Sequence, residues 1–265
     1  MHPRLKKILR RRHIDAREFD LACKKALGIV GQEKISERMR IAAALAVSPG
    51  KRLCDVGGGV SLYPLVAQIL GADVTVIDLL PDYETNAVLK KKVDTLAQAG
   101  IRFIRGDIAD PNVAPGNIDT VTAYETIEHF PHSPKPALTK LVSALVPGGR
   151  LCLSVPNIAR FEMRLRALKG RTPHEGIDGF FHNGSPFLGH HREYTRGEVA
   201  FLANALGLEI LQIFGMNITY ESVKKKSVVQ RALISLEENW AIGDHIMPDT
   251  LRHHIWLEAR KAGAS

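Results

Sequence analysis

Short apolar runs alternate with longer segments of helical periodicity along most of the chain. Continuous apolar runs bounded by turn residues indicate strands buried on both faces, and apolar residues spaced three or four apart indicate amphipathic helices. The runs predict seven strands, at Leu53–Val56, Val74–Ile77, Ile101–Arg105, Ile118–Tyr124, Arg150–Val155, Leu208–Phe214 and His254–Ala259. Because strands that alternate with helices usually form parallel sheets, we expect an α/β fold with an open, mostly parallel sheet and helices on both faces.

Helices are predicted between these strands and before the first of them. The periodic segments after the first strand are 62–70, Glu84–Ala99, Ala137–Leu145, Phe161–Lys169 and Glu198–Leu206. Thr195 and Glu198 have the spacing of a capping box, which marks a helix start. Residues 1–47 are predicted to form an N-terminal helical segment broken at Gly28 and Gly31, and 48–265 the main domain. Two stretches, at about 158–190 and 218–250, do not fit the alternation and are interpreted as substrate caps.

The turn after the first strand is rich in glycine. Gly57, Gly58 and Gly59 follow the strand, and a helical pattern begins soon after them. Glycine lets the backbone approach a ligand closely, and a helix N-terminus presents free N–H groups to it. The second strand ends at Asp78, whose carboxylate could accept hydrogen bonds from the two hydroxyls of a ribose. This stretch therefore predicts the nucleoside-binding half of an open α/β sheet.

The spacing of Asp55, Gly57, Gly59 and Ser61 resembles the first motif of the class I S-adenosylmethionine (SAM)-dependent methyltransferases. A dinucleotide-binding fold would have a third glycine where this chain has Leu62, which argues against a nicotinamide-dependent oxidoreductase. The resemblance implies a Rossmann-like, seven-stranded, mostly parallel sheet whose last strand is antiparallel. It also implies that SAM is the cofactor and that the N-terminal helices cover it.

The same resemblance assigns the cofactor-binding residues. In this family the acid before the glycines lies near the amino-acid end of SAM, which is the role implied for Asp55. An acid and an apolar residue after the third strand hold the adenine, and here these are Asp107 and Ile108. The full set implied to bind the cofactor is Asp55, Gly57, Gly59, Asp78, Leu79, Asp107, Ile108 and Tyr124.

Glu125, Glu128 and His129 follow the fourth strand with the spacing E-x-x-E-H. In a helical turn they would share one face, and two carboxylates with an imidazole suit Mg²⁺ or another divalent cation, which would activate an acceptor hydroxyl. The spacing resembles the ubiquinone-pathway O-methyltransferases and the small-RNA 3′-terminal 2′-O-methyltransferases. In the latter a second, later histidine completes a magnesium site, and of His190 and His191 the spacing favours His190. Without a metal, His129 is the candidate general base, with Glu125 as its catalytic neighbour, and both interpretations stay open.

The expected reaction is O-methylation of a hydroxyl on a sugar-containing, glycan-related or other polar small molecule. The first cap holds basic residues that would suit such an acceptor: Arg160, Arg164, Arg166, Lys169, Arg171 and His174. The alternatives are a phenol or quinone precursor and an RNA 3′ end. RNA is not favoured because only 6% of the residues are aromatic. A SAM-binding module without catalysis is a further alternative, against which the complete acid–acid–histidine set argues.

Charge and composition limit the partners and the compartment. The formal net charge of +8 favours anionic partners without choosing among them. No apolar run is long enough to cross a bilayer, and the N-terminus lacks the apolar core of a signal peptide. Cys54 and Cys152 lie inside strand-like runs, as expected of buried thiols in a reducing compartment. We therefore expect a cytoplasmic protein, and the sequence makes no prediction of its oligomeric state.

Overall fold

The computed structural model describes residues 1–48, 50–81, 83–110, 113, 116–174, 176–182, 184, 187, 189–217 and 247–263. Seven strands form one sheet: β1 (Arg52–Val56), β2 (Asp73–Asp78), β3 (Arg102–Arg105), β4 (Ile118–Tyr124), β5 (Leu145–Pro156), β6 (Leu208–Met216) and β7 (His254–Lys261). Nine α-helices are described: α1 (Pro3–Arg11), α2 (Ala16–Val30), α3 (Glu37–Ala46), α4 (Leu62–Ile69), α5 (Ala87–Gln98), α6 (Lys135–Ala144), α7 (Phe161–Leu168), α8 (Ile177–Phe181) and α9 (Arg196–Ala205). The second predicted cap lies almost entirely outside the described residues.

The strand order is β3-β2-β1-β4-β5-β7-β6. The pairs from β3 through β5 are parallel, whereas β7 runs antiparallel to both of its neighbours, β5 and β6. The predicted Rossmann-like sheet with an antiparallel last strand is therefore confirmed. The order reverses between β1 and β4, and open α/β sheets bind ligands outside the carboxyl ends of the strands at such a reversal.

Each face of the sheet is covered by helices that bury their apolar sides. On one face α1 to α4 pack together in a cluster that includes Tyr124 of β4 and Trp256 of β7. On the other face α6 and α9 pack against β4, β5 and β7. None of the described helices is long and apolar enough to cross a membrane.

Local capping explains most helix boundaries, including those that the sequence placed wrongly. The side chain of Asn86 accepts from the backbone of Leu89, so α5 begins three residues after the predicted Glu84. Gly31 ends α2 in the left-handed conformation, but Gly28 lies inside that helix and does not break it. The predicted capping box is confirmed: Thr195 is the N-cap, so α9 begins at Arg196 rather than at Glu198.

A buried ionic network joins the N-terminal helices to the sheet. The Arg150 guanidinium donates to Glu258 at 3.0 Å, to the carbonyl oxygen of Leu45 at 2.9 Å and to the Ser48 hydroxyl at 2.7 Å. Arg12 of α1 also donates to Glu258. Arg150 and Glu258 are both buried, so the two charges compensate one another inside the protein. The end of α3 and the middle of β5 are thereby held together.

Candidate active site

The loop after β1 lies directly against the loop after β4. Gly57 has φ +71°, and a Cβ on it would lie 2.3 Å from the Thr126 Cγ2. The Thr126 hydroxyl donates to the carbonyl oxygen of Val56 at 3.0 Å, which fixes it in this place. Only glycine satisfies both the backbone angle and the close approach at position 57.

Asp78, at the end of β2, lies beside the same loop. One carboxylate oxygen accepts from the Gly59 N–H at 2.9 Å and the other from the Leu80 N–H at 2.8 Å. A carboxylate oxygen has two lone pairs, so each oxygen retains capacity for a ligand hydroxyl. Gly59 therefore connects the loop to Asp78. Gly59 itself does not line either of the two cavities beside this loop.

A cavity of about 430 Å³ opens at the carboxyl ends of β1, β2 and β4. Five of the residues predicted to bind the cofactor line it: Gly57, Asp78, Leu79, Asp107 and Ile108. The opposite part is lined by Glu125 and His129 and by mainly apolar neighbours, including Phe130, Pro131, Pro136, Ala137 and Phe187. The structure thus places the predicted nucleoside-binding residues and the predicted catalytic residues on one cavity.

A second cavity, of about 210 Å³, adjoins the first, since Gly57 and Glu125 line both. Its walls include the predicted Tyr124, Ser61 of the first motif and several residues that the sequence did not indicate: Arg38, Tyr63, Ser154 and Trp256. Arg38 is carried by α3, and a guanidinium is well suited to pair with a carboxylate. The predicted covering role of the N-terminal helices is the only sequence signal that pointed to α3, and it did not select Arg38.

Asp55 does not contact either cavity. Its side chain is fully buried beneath the loop, accepts a hydrogen bond from Thr122 at 2.9 Å and contacts the Tyr63 hydroxyl. Burial raises the pKa of Asp55 to about 7, against the hydrogen bonds from Tyr63 and Thr122, which lower it. A Cβ on Gly58 would lie 1.8 Å from the Asp55 carboxylate. Asp55 therefore supports the loop from below, and its predicted place near the amino-acid end of SAM stays a prediction.

Glu125 has φ +53°, in the left-handed region that non-glycine residues rarely adopt. Its carboxylate accepts from the Ser154 hydroxyl at 2.7 Å and lies 3.0 Å from the His254 Nδ1 and 3.7 Å from the Arg38 guanidinium. Burial raises the pKa of Glu125, and the charge of Arg38 opposes that shift. The turn that follows covers only Ile127–His129, so the predicted shared helical face with Glu128 and His129 does not form.

Glu128, His129 and His190 come together without Glu125. They offer ligand atoms that all lie within 4.8 Å of one another. Glu128 is fully buried, and neither carboxylate oxygen has a hydrogen-bond partner among the described residues. Burial and the nearby charges of Glu125 and Glu193 raise the pKa of Glu128 to about 9. Three of the four residues predicted as metal ligands are therefore adjacent, and the Glu125 carboxylate is engaged elsewhere.

The two histidine rings are held by their Nδ1 atoms. The His129 Nδ1 lies 3.2 Å from the Gly189 carbonyl oxygen, and the His190 Nδ1 lies 3.2 Å from Glu193. A carbonyl or carboxylate oxygen only accepts, so the neutral rings carry their proton on Nδ1 and present Nε2 as an acceptor. Arg160 holds Glu193 in turn at 2.7 Å. His191 is turned away, with its Nε2 3.1 Å from the Phe187 carbonyl oxygen.

Residues 31–213, more than half of the chain, match the protein family described as a methyltransferase domain. A ubiquinone biosynthesis O-methyltransferase of Xanthomonas campestris pv. campestris (strain B100) is 37% identical over 121 residues, which are 45% of this chain and 49% of that protein. The chain thus spans about half the length of the first curated relatives it matches. A ubiquinone biosynthesis O-methyltransferase of Burkholderia thailandensis is 30% identical over 181 residues, 67% of this chain and 72% of that protein.

A solved structure of a SAM-dependent methyltransferase from Mesorhizobium loti has the same fold. Its TM-score is 0.54 at 16% identity, with 84% of this chain and 97% of that chain covered. The domain match and the Burkholderia relative extend this similarity from the fold to the sequence. The chain therefore belongs to the class I SAM-dependent methyltransferases.

Proposed function

We propose that this methyltransferase transfers the methyl group of SAM to a hydroxyl on an aromatic ring of the phenol, catechol or quinol class. The observation that carries the proposal is the wall of the main cavity beside His129, which is built from apolar and aromatic side chains such as Phe130 and Phe187. Such a wall suits a flat, apolar ring better than a hydroxylated sugar. The relatives named as ubiquinone biosynthesis O-methyltransferases support the same acceptor class.

The sugar-containing acceptor expected from the sequence loses its basis. That expectation came from the basic residues of the first cap, and none of them is among the lining residues of the main cavity. Arg160 is paired with Glu193, and Arg164 donates to the carbonyl oxygen of Ala159. Basic charge on the cap therefore gives no reason to place a polar or glycan-related acceptor at the site.

The cofactor is proposed to lie across the two adjoining cavities. Asp78 would accept from the ribose hydroxyls, and Asp107 and Ile108 would hold the adenine. Arg38 would pair with the carboxylate at the methionine end, inside the smaller cavity. The fit rests on the close passage of the backbone at Gly57, where a side chain would collide with Thr126.

The acceptor hydroxyl is proposed to be activated at the Glu128, His129 and His190 cluster. His129 borders the main cavity, and its Nδ1 contact with Gly189 orients Nε2 as a proton acceptor. The hydroxyl gives its proton to the His129 Nε2 as its oxygen forms a bond to the methyl carbon. The carbon–sulfur bond breaks in line, and its electron pair stays on sulfur. The chain's part is to orient the oxygen, hold the proton acceptor and exclude water.

The same cluster fits a divalent cation. The deciding observation is Glu128, a buried carboxylate whose two oxygens have no hydrogen-bond partner among the described residues. Glu128, His129 and His190 would hold the ion, and Glu193 would orient His190 from behind. When bound, a cation supplies Lewis acidity that lowers the pKa of a coordinated hydroxyl.

The test is methyl transfer from labelled SAM to a panel of catechols, phenols and sugars, with and without EDTA and added Mg²⁺. We expect labelled catechols or phenols, no labelled sugars, and loss of activity in EDTA that Mg²⁺ restores. Labelling of sugars alone would refute the acceptor class. Activity unchanged by EDTA would refute the cation and leave His129 as the general base.

A further inference from the structure

Glu125 lies where the two cavities meet, beside the loop after β1. It lines the larger cavity, where the adenosine is proposed to bind, and the smaller one, where the methionine chain is proposed to bind. In SAM the atom that joins these two parts is the sulfonium sulfur, which carries a positive charge. The junction of the cavities is therefore the place where that charge is expected.

The Glu125 carboxylate is fixed at this junction. Its backbone N–H donates to the Ser154 carbonyl oxygen at 2.9 Å, and the Ser154 hydroxyl donates to the carboxylate at 2.7 Å. His254, which is only 2% exposed, places Nδ1 3.0 Å from the second carboxylate oxygen. A left-handed backbone at a glutamate is strained, and such strain persists only where the surroundings enforce it.

Glu125 is also separate from the cluster proposed to activate the acceptor. The three side chains that converge there are Glu128, His129 and His190, while the carboxylate of Glu125 is directed to residues of α3, β5 and β7. Arg38 is the most distant of its three partners, at 3.7 Å, so it compensates the negative charge only in part.

We infer that the negative Glu125 carboxylate attracts the positive charge of the sulfonium. Ser154 and His254 hold the carboxylate in position for this interaction. The inference rests on the proposed placement of the cofactor and is independent of the acceptor. Methyl transfer removes the positive charge, because S-adenosylhomocysteine (SAH) has a neutral thioether at the same atom. Glu125 would therefore favour binding of the charged cofactor over its product and would promote product release.

The test is calorimetric titration of the full chain with SAM and, separately, with SAH. For Glu125→Gln we expect the Kd of SAM to rise about tenfold, which corresponds to about 1.4 kcal/mol, and the Kd of SAH to change less than about threefold. The positioning variants Ser154→Ala and His254→Gln are expected to reduce the preference for SAM in the same direction, by about two- to threefold. Circular dichroism and thermal unfolding check that each variant is folded.

Glu209→Gln is the control, because it removes a carboxylate on the exposed edge of β6 that lines neither cavity. It is expected to leave both dissociation constants within about twofold of wild type. Equal weakening of SAM and SAH by Glu125→Gln would overturn the inference, since Glu125 would then serve the amino-acid end. Unchanged binding of both would overturn it as well. Should Glu125→Gln not fold, Ser154→Ala decides by the same ratio. Failure of the acceptor assay with normal SAM binding would count only against the proposed function.

Discussion

Replacement of Gly57 by alanine tests whether the close approach of the two loops shapes the cofactor site. The new Cβ would meet the Thr126 Cγ2 at 2.3 Å, and the backbone angle of +71° is unfavourable for any side chain. The left-handed angle costs about 1–2 kcal/mol, and overpacking adds about 1–3 kcal/mol. We therefore expect the free energy of unfolding to fall by about 2–5 kcal/mol and SAM binding to weaken.

Gly31→Ala is the control for this experiment. Gly31 has nearly the same angle, +67°, and nothing lies within 4 Å of a Cβ at this position. It carries the angle penalty without the collision, and the entropy that alanine removes from the unfolded chain is the same in both variants. Thermal unfolding should separate the two by about 2–4 °C for each kcal/mol of difference.

Thr126→Ser provides the complementary change. It removes the methyl group that the new side chain would meet and keeps the hydroxyl that donates to Val56. In the background of Gly57→Ala it should recover part of the lost stability and cofactor affinity. If Gly57→Ala is no less stable than Gly31→Ala, the collision is not real and the account of the loop is wrong.

Three further predictions concern single side chains around the site. Arg38→Met should weaken SAM binding about 10- to 100-fold by calorimetry, as expected for loss of a charged hydrogen bond, whereas the exposed Arg17→Met should not. Burial raises the pKa of Asp55 from 3.8 to about 7. Between these two pH values the folded state keeps a proton on Asp55 that the unfolded state releases. The buried carboxyl therefore destabilises the protein increasingly as the pH rises from 3.8 to about 7. The melting temperature of Asp55→Asn relative to wild type should therefore rise between those pH values, and a constant difference would contradict the assignment. Glu193→Gln should lower methyl transfer about 10- to 100-fold by releasing the histidine it orients, whereas Glu209→Gln, on the exposed edge of β6, should not. Equal rates in these two variants would remove Glu193 from the site.

The fold followed from the sequence because each strand of a buried sheet is a continuous apolar run. The same logic located Asp78 and Asp107, since residues that end neighbouring parallel strands meet at one edge of the sheet. Boundaries were less predictable, because they depend on single side-chain contacts such as the cap at Asn86.

The parts of the site that the sequence missed depend on contacts between distant segments. The departure of Glu125 from its neighbours results from a left-handed backbone angle, at which the Glu125 N–H donates to the Ser154 carbonyl oxygen, and no spacing in the sequence reveals such an angle. Arg38 reaches the smaller cavity only because α3 packs against α4 beside the loop. The direction of the Asp55 side chain was equally hidden from the sequence: its motif fixes its position along the chain, but Tyr63 and Thr122 set the direction of the carboxylate.

The ionic network between Arg150 and Glu258 attaches the first helices to the sheet. Arg150 holds the carbonyl oxygen of Leu45 near the end of α3, and Arg38 lies near the beginning of the same helix. A rigid helix transmits displacement from one end to the other. Breaking the contact between Arg150 and Leu45 would therefore also displace the Arg38 guanidinium, which is proposed to bind the methionine end of SAM. Loss of the ionic network is therefore expected to weaken cofactor binding through Arg38, even though neither Arg150 nor Glu258 lines either cavity.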